Sequence, residues 1–271
     1  MNVILTIRRI IMLPLIILTL ITTPAAVSTE TAELLSTHTF VFEQALMMGQ
    51  GITNDGEYYY TSGSITAVNS QTLAKFDMNM DLVDVNFNPL PKKCRQRGNN
   101  HIGGISYYNG KIYASVEGGD TQWACIVVFD ADTLKPTGEI YDLPNEKYED
   151  GVPWCAVDPD TGYLYASMWD DAKTIYVYDV NNSMAPVKEL KLTGLGIIDR
   201  IQGGEFLDGT LYLSHDIKHN GNFKRIESVN VETGEVKVVA ERNVGSDNVE
   251  AEGMTFTKTA DGAVMHVLDY N

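Results

Sequence analysis

The chain has 271 residues, of which 44% are hydrophobic and 21% charged, a composition that excludes wholesale disorder. It has 20 Lys and Arg residues against 36 Asp and Glu residues, and the resulting net charge of −16 disfavours DNA, RNA or an anionic surface as a partner. Beyond the N-terminal segment, no apolar run is long enough to span a bilayer, so we expect no stable membrane insertion of the mature chain.

The N-terminal segment has the pattern of a secretory signal peptide. Arg8 and Arg9 precede an apolar stretch over residues 10–21, and small residues follow it. Cleavage after Ala26 or Ser28 fits the small-residue rule for such sites. An uncleaved membrane anchor is the alternative, but the apolar stretch is short for one. The pattern predicts a chain that is secreted, or periplasmic if its source is bacterial.

Removal of residues 1–28 would leave residues 29–271, which we interpret as one domain and expect to be monomeric.

Export permits disulfides, and the chain has three cysteines, Cys94, Cys125 and Cys155. Because the number is odd, at most one bridge forms within the chain, and the sequence leaves its two partners open.

An internal repeat of about fifty residues organises the rest of the chain. Its clearest marks are five turn dipeptides, spaced by 47 to 54 residues: Asp55-Gly56, Asn109-Gly110, Thr161-Gly162, Asp208-Gly209 and Asp261-Gly262. Asn-Gly and Asp-Gly supply the positive φ angles of tight hairpin turns. Runs rich in Tyr, Ile, Val and Leu flank these turns and predict β-strands.

Each repeat predicts four antiparallel strands, which is typical of one blade of a β-propeller. The fold class predicted is therefore all-β, a five-bladed β-propeller. The inner strands are expected to begin near Gln50, His101, Gly151, Ile201 and Ala251. The last repeat is short, and the alternating segment over residues 37–45 is expected to complete its blade and close the ring. An open sandwich of the same strands is the alternative.

A propeller gathers the starts of its inner strands at one end of the axis, and there this sequence places many polar residues. Crowded carboxylates are relieved by a bound hard cation, so Asp216, Glu252 and Asp269 predict a possible Ca²⁺ site, the one cofactor considered. The residues predicted to contact a ligand are Trp154, Trp169, His215 and Gln202. For each of them a structural role in loops or blade packing is the alternative.

Two segments resemble secreted glutaminyl cyclotransferases of the plant and bacterial type. Residues 50–77, which begin Gln-Gly-Ile-Thr-Asn-Asp-Gly, resemble that family's first blade, and residues 129–139 resemble its second. The resemblance implies a five-bladed propeller that cyclises N-terminal glutamine to pyroglutamate, with Gln50 at the active site. The family carries an acidic residue where this chain has Gly103, and Glu117 or His101 is the candidate to replace it as proton carrier. The predicted catalytic residues are thus Gln50, Glu117 and His101.

The leading hypothesis is a secreted propeller that binds a small ligand, a peptide end or a cation in an acidic central funnel, without assigned catalysis. A second hypothesis is the glutaminyl cyclotransferase reaction. A third is a calcium-dependent hydrolase, since Glu252-Gly253-Met254 resembles a short motif of calcium-dependent esterase-like propellers.

Overall fold

The structure is a computed structural model that describes residues 3–8, 33–39, 47–65, 69–118, 123–195, 198–216, 223–244, 248–260 and 262–270. These residues form five antiparallel sheets, with little helix. A five-residue helix, α1 (Lys92–Gln96), precedes the second sheet, and two short 3-10 turns lie at Asn145–Lys147 and Val180–Asn182. No helix in these ranges is long and apolar enough to cross a membrane.

Four sheets are each built from one stretch of chain, and in the first three the inner strand comes first in sequence. The first sheet contains β3 (Ile52–Asn54), β4 (Tyr58–Ile65), β5 (Ser70–Asp77) and β6 (Leu82–Phe87). The second contains β7 (Asn99–Tyr108), β8 (Lys111–Gly118), β9 (Cys125–Asp130) and β10 (Pro136–Asp142). The third contains β11 (Cys155–Val157), β12 (Tyr163–Ala166), β13 (Thr174–Asp179) and β14 (Ala185–Lys191). The fourth contains β16 (Ile201–Leu207), β17 (Thr210–Asp216), β18 (Phe223–Val229) and β19 (Glu235–Asn243), with β15 (Thr193–Gly194) added in parallel to β19.

The fifth sheet joins the two ends of the chain. It contains the hairpin of β20 (Glu250–Thr259) and β21 (Gly262–Tyr270), followed outward by β1 (Val3–Arg8) and β2 (Glu33–Thr39). A strand from the N-terminal region therefore completes the last sheet, but not as expected. The strand that pairs with β21 is β1, which lies inside the segment predicted to be a signal peptide. The strand β2 pairs with the other edge of β1 and is the outermost strand of this sheet. Of the strand predicted over residues 37–45, positions 40–45 lie outside the described residues.

The hairpin turns behave as their residue types require. In the second sheet, Asn109 and Gly110 have φ values of 48° and 75°. In the fourth sheet, Asp208 and Gly209 have φ values of 48° and 76°. Two consecutive positive φ angles belong to the tight turn that matches the twist of antiparallel strands, and Asn, Asp and Gly adopt them at low cost. The strands predicted on either side of these two turns are thereby confirmed.

The hydrophobic core is divided among the spaces between neighbouring sheets. Trp154 and Leu213 belong to a cluster between the third and fourth sheets, and similar clusters lie between the other neighbours in order. The cluster that contains Ile52, Phe76 and Leu268 lies between the first and fifth sheets. Each sheet thus buries both faces against its neighbours, and the all-β propeller arrangement predicted from the repeat is confirmed.

The inner strands pack backbone to backbone around the axis. The Gly104 amide donates to the Pro153 carbonyl at 2.7 Å, and the Gly253 amide donates to the Gln50 carbonyl at the same distance. At Gly103 a Cβ atom would lie 2.2 Å from the Pro153 carbonyl oxygen, so only glycine fits. Backbone from sheets that are not neighbours also meets here, because a Cβ atom at Gly104 of the second sheet would lie 3.4 Å from the Gln202 carbonyl oxygen of the fourth. This packing lies between the two ends of the axis.

Candidate functional site

One end of the axis, which we call the upper mouth, collects the starts of the inner strands and the ends of the second strands. Every sheet contributes polar side chains here. They are Gln50 from the first sheet, His101 and Glu117 from the second, Asp150 and Trp169 from the third, Arg200 and Asp216 from the fourth, and Glu250, Glu252 and Asp269 from the fifth. Residues distant in sequence converge because each repeat returns the chain to the same end.

The three residues predicted to be catalytic lie together. His101 Nε2 lies 2.8 Å from the Oε1 of Gln50. Its Nδ1 lies 3.2 Å from the Oε1 of Glu117, an ion-pair distance. The other oxygen of Glu117 accepts a hydrogen bond from the amide of Val152 at 2.6 Å, which holds the carboxylate in place. The arrangement aligns the Glu117 carboxylate, the His101 imidazole and the Gln50 side-chain amide across the first two sheets.

Trp169 lies between the third and fourth sheets at this mouth. Its backbone amide donates to the Asp150 carboxylate at 2.9 Å. The guanidinium of Arg200 lies over its indole ring, 5.0 Å from the ring centroid, a cation–π contact. Of the four residues predicted to contact a ligand, Trp169 is the one whose side chain is only partly buried. It therefore has the most surface accessible to a ligand at the upper mouth.

Buried ion pairs hold most of the carboxylates of the fourth and fifth sheets. Asp216 lies 2.9 Å from Lys224 Nζ and 3.2 Å from Arg200 Nη2, and it accepts a hydrogen bond from the Ala251 amide. Asp269 forms a bidentate pair with Arg242 at 2.7 and 2.9 Å. Two members of the predicted Ca²⁺ set therefore already have cationic partners within the protein.

Glu252, the third member of that set, is different. Its side chain is 2% exposed, and its Oε1 has no hydrogen-bond partner within the described ranges. Burial raises the pKa of Glu252 well above its usual value, and the negative charges of Glu250, Asp216 and Asp269 raise it further, against a smaller opposing effect of Arg200. A buried carboxyl oxygen without a partner normally costs about 1–3 kcal/mol, so this group is the strongest sign of a missing ligand at the upper mouth.

Two residues predicted to contact a ligand lie inside the protein. Trp154 is fully buried, and its Nε1 donates to Ser167 Oγ at 2.9 Å inside the core. His215 is also buried, and its ring nitrogens face Glu227 at 3.2 Å and the Asp199 carbonyl at 2.9 Å. Burial lowers the pKa of His215, but Glu227 outweighs it and the net pKa is raised. Both side chains stabilise the sheets, and Gln202 is likewise buried.

Another acidic group lies nearby. Within the described ranges, Asp170, Asp171 and Asp199 are the one set of three His, Cys or acidic side chains whose ligand atoms all lie within 4.8 Å of one another. The predicted set of Asp216, Glu252 and Asp269 does not meet this distance. The Ca²⁺ site stays a prediction, and its three carboxylates are not arranged as a compact ligand set.

Gly103 accounts for one departure from the cyclotransferase pattern. A side chain at this position would collide with the backbone of Pro153, so no carboxylate could stand there in this fold. Glu117 instead brings its carboxylate to the mouth from the next strand.

The opposite end of the axis contains a cavity that none of the sequence motifs predicted. This lower cavity has a volume of about 360 Å³, and residues from all five sheets line it. Glu205 lines it from β16, and burial raises the pKa of Glu205 to about 7. The repeat could have predicted that Glu205 is unusual. The equivalent residues in the other four repeats are uncharged, namely Thr53, Ser106, Ala156 and Thr255.

Comparison with known proteins supports the architecture. The chain matches no protein-family model and no curated protein. Its structure is similar to that of the major Malassezia sympodialis allergen Mala s 1, with a TM-score of 0.54 and 11% sequence identity over 81% of this chain and 77% of that one. The chain has a β-propeller fold.

Two other solved structures are similar to a lesser degree. Native Bacillus subtilis arabinanase Arb43A has a TM-score of 0.47 and 15% identity, covering 83% of this chain and 94% of the arabinanase. The Dos1 propeller has a TM-score of 0.42 and 9% identity, covering 80% of this chain and 66% of its own. None of these comparisons assigns the chain to the glutaminyl cyclotransferases, and that resemblance stays a prediction from its motifs.

Proposed function

We propose that this chain is an exported ligand-binding propeller that takes the protonated amine of a small molecule or peptide end at its upper mouth, against Glu252. The observation that carries the proposal is the unpartnered oxygen of a buried carboxyl group at the axis. A ligand amine would supply the hydrogen bond and the positive charge that this group lacks.

The charges around Glu252 favour a cation over an anion. Four acidic side chains meet here, namely Asp216, Glu250, Glu252 and Asp269. The neighbouring cations are Arg200, Lys224 and Arg242, and each of them lies against Asp216, Glu250 or Asp269. One negative charge thus remains to be compensated when Glu252 ionises. An incoming ammonium group would stabilise the ionised form, and its binding would release the proton that Glu252 holds.

The test compares a dipeptide that has a free amino terminus with its N-acetyl derivative in thermal unfolding. We expect the free dipeptide alone to stabilise the fold, by about 2.7 kcal/mol at a hundredfold excess over its Kd. Glu252→Gln should remove this difference, whereas Glu57→Gln, an exposed carboxylate at the opposite end of the axis, should retain it. Equal stabilisation by both dipeptides, or an unchanged preference in Glu252→Gln, would contradict the proposal.

A metal cation is the alternative occupant of the same position. Addition of Ca²⁺ to the wild-type protein, followed by removal with a chelator, distinguishes it from an amine. A reversible rise in melting temperature with Ca²⁺ that Glu252→Gln abolishes would assign the site to the metal and would revive the calcium-dependent hydrolase hypothesis. The ion pairs of Asp216 and Asp269 argue against that outcome, because a metal would have to displace both.

The alignment of Glu117, His101 and Gln50 favours glutaminyl cyclotransferase activity as a second candidate function. In that reaction the N-terminal amine attacks the side-chain amide carbon of the same glutamine, and ammonia leaves. The distances from His101 to Gln50 and to Glu117 support a role for His101 and Glu117 in moving the proton from the amine to the leaving group. Ammonia release from a glutaminyl peptide, lost in Glu117→Gln and in His101→Asn, would support it. No release above the uncatalysed rate would exclude it.

The proposal includes a ring of five blades. The fifth sheet would serve as a blade closed by the N-terminal strands, and two features support this. An apolar cluster lies between the fifth and first sheets, and the Gly253 amide donates to the Gln50 carbonyl across the same junction. Closure of this kind leaves no exposed sheet edge along the axis.

A further inference from the structure

The lower cavity has the construction of a binding site in its own right. Its volume of about 360 Å³ lies in the range of small-molecule pockets. Its walls include the aromatic side chains of Tyr107, Phe206 and Phe256, and one carboxyl group, that of Glu205, is set among them. Aromatic walls with a few ionisable groups are typical of pockets that orient one polar end of an organic ligand.

The hydrogen bonds around Glu205 all point toward its carboxyl oxygens. The Tyr107 amide donates to Thr53 Oγ1 at 3.0 Å, so the Thr53 hydroxyl donates onward to Glu205 Oε2 at 3.1 Å. On the other side, Asn54 Nδ2 donates to Thr255 Oγ1 at 2.7 Å, and that hydroxyl donates to the same Oε2 at 3.3 Å.

The other oxygen of Glu205 is held by the backbone. Its Oε1 accepts a hydrogen bond from the Phe206 amide at 3.0 Å. Three donors thus hold the carboxyl group in one orientation, as if it were ionised.

The carboxyl group nevertheless lacks a counter-ion. In the described part of the chain, no Lys, Arg or His nitrogen lies within 4.0 Å of Glu205. Lys258, which also lines the cavity, is 2.9 Å from Asp208 and its side chain is 73% exposed. Asp55 adds a second carboxylate to the lining. The cavity is therefore negative overall, with a preoriented carboxyl group whose cation is missing.

We infer that the lower cavity binds a small organic monocation, a protonated amine attached to an apolar or aromatic body, with the ammonium against Glu205 and the body against the aromatic walls. An ammonium provides the missing charge and up to three hydrogen-bond donors. Tyr107, Phe206 and Phe256 line the cavity, and aromatic rings attract the same charge through their π electrons. This site is separate from the upper mouth, because the inner strands close the axis between them.

The test uses benzylamine and benzyl alcohol, which share an aromatic body and differ in charge. Calorimetric titration of the full chain should show benzylamine binding more tightly than the alcohol by about tenfold to a hundredfold, the range expected for a charge-assisted hydrogen bond. Glu205→Gln keeps the shape of the side chain and should abolish the preference for the amine. Glu57→Gln, an exposed carboxylate at the same end that does not line the cavity, should retain it.

A second variant keeps the result interpretable if Glu205→Gln does not fold. Met78 lines the cavity and is 40% exposed, so Met78→Arg should fold, place a positive charge at the rim and weaken benzylamine binding. Met78→Gln, of similar length and neutral, should weaken it less. Equal affinity for the amine and the alcohol, unchanged amine binding in both Glu205→Gln and Met78→Arg, or no saturable binding by the wild-type protein would overturn the inference.

Discussion

Glu205 shows how a single residue departs from its repeat and acquires a property that its equivalents lack. The other repeats place Thr, Ser or Ala at the same position, and their hydroxyl groups bond to the neighbouring strand, as Thr53 does with the Tyr107 amide. A glutamate there keeps similar contacts but brings a charge to a partly enclosed cavity. Trp154 and Gly103 illustrate the opposite case. Trp154 is buried with its Nε1 bonded to Ser167, and Gly103 is fixed by the closeness of the Pro153 backbone, so neither brings a charge to the axis.

The raised pKa of Glu205 predicts a pH-dependent contribution to stability. The folded protein binds this proton more tightly than the unfolded chain does, so the contribution is complete below about pH 4.5 and is lost as the pH rises to about 7. Glu205→Gln should therefore gain stability relative to wild type across that window, by up to about 3 kcal/mol. Urea unfolding at several pH values measures it, with Glu57→Gln as control. A constant difference between wild type and Glu205→Gln would contradict the prediction.

Gly103 predicts the cost of a side chain at the axis. Gly103→Ala would place its methyl group 2.2 Å from the Pro153 carbonyl oxygen, and two inner strands would have to separate. We expect a loss of about 3 kcal/mol in the free energy of unfolding. Gly138→Ala is the control, because nothing lies within 4 Å of that Cβ and the cost there comes only from its φ of 100°, about 1 kcal/mol. Similar losses for the two variants would contradict the packing argument.

The hairpins and the short helix α1 are the elements that bring distant side chains into register. Successive strands carry His101 and Glu117 to one end because the hairpin pairs them directly across from each other. The helix α1 likewise brings two cysteines together, because it holds the buried Cys94 against Cys125 at the start of β9. The sequence indicated that one bridge was possible but left its partners open, and the fold brings this pair into contact.

We predict that oxidation joins Cys94 to Cys125 and leaves Cys155 free. All three thiols are reduced and buried in the structure. The hydrogen bond from Cys125, assisted by Arg97, lowers the pKa of Cys94 to about 7, so part of it is thiolate near neutral pH. Treatment with oxidised glutathione should remove two hydrogen atoms from the chain's mass and stabilise the fold by about 3 kcal/mol. Peptide mapping that finds Cys155 in the bridge would contradict the prediction.

At the scale of the whole molecule, both ends of the chain meet in the fifth sheet. The backbone of β21 pairs with β20 on one side and with β1 on the other. Export with cleavage of residues 1–28 stays a prediction, and it would remove β1 from beside β21. The strongly acidic surface is consistent with either form, because charge affects solubility and partners more than it affects fold.

The chain shortened to residues 29–271 should unfold at a lower temperature than the full chain. Its β21 would lose the hydrogen bonds to β1, so amide exchange should accelerate in β21 and stay slow in the third sheet, which serves as an internal control. The mass of the exported protein shows which form exists. Unchanged protection of β21 in the shortened chain would mean that another segment, such as β2, occupies the position of β1.

The sequence by itself determined the repeat, the strands and the turns, because alternating apolar residues and Asn-Gly or Asp-Gly turns act over a few neighbours. It also placed Gln50, His101 and Glu117 at one end of the predicted axis, and the resemblance to the cyclotransferases made them the predicted catalytic residues. Only the tertiary structure decided which side chains remain available. Contacts between sheets bury Trp154 and His215 and form the ion pairs of Asp216 and Asp269. They also leave an oxygen of Glu252 without a partner and Glu205 without a counter-ion, and no local pattern encodes those contacts.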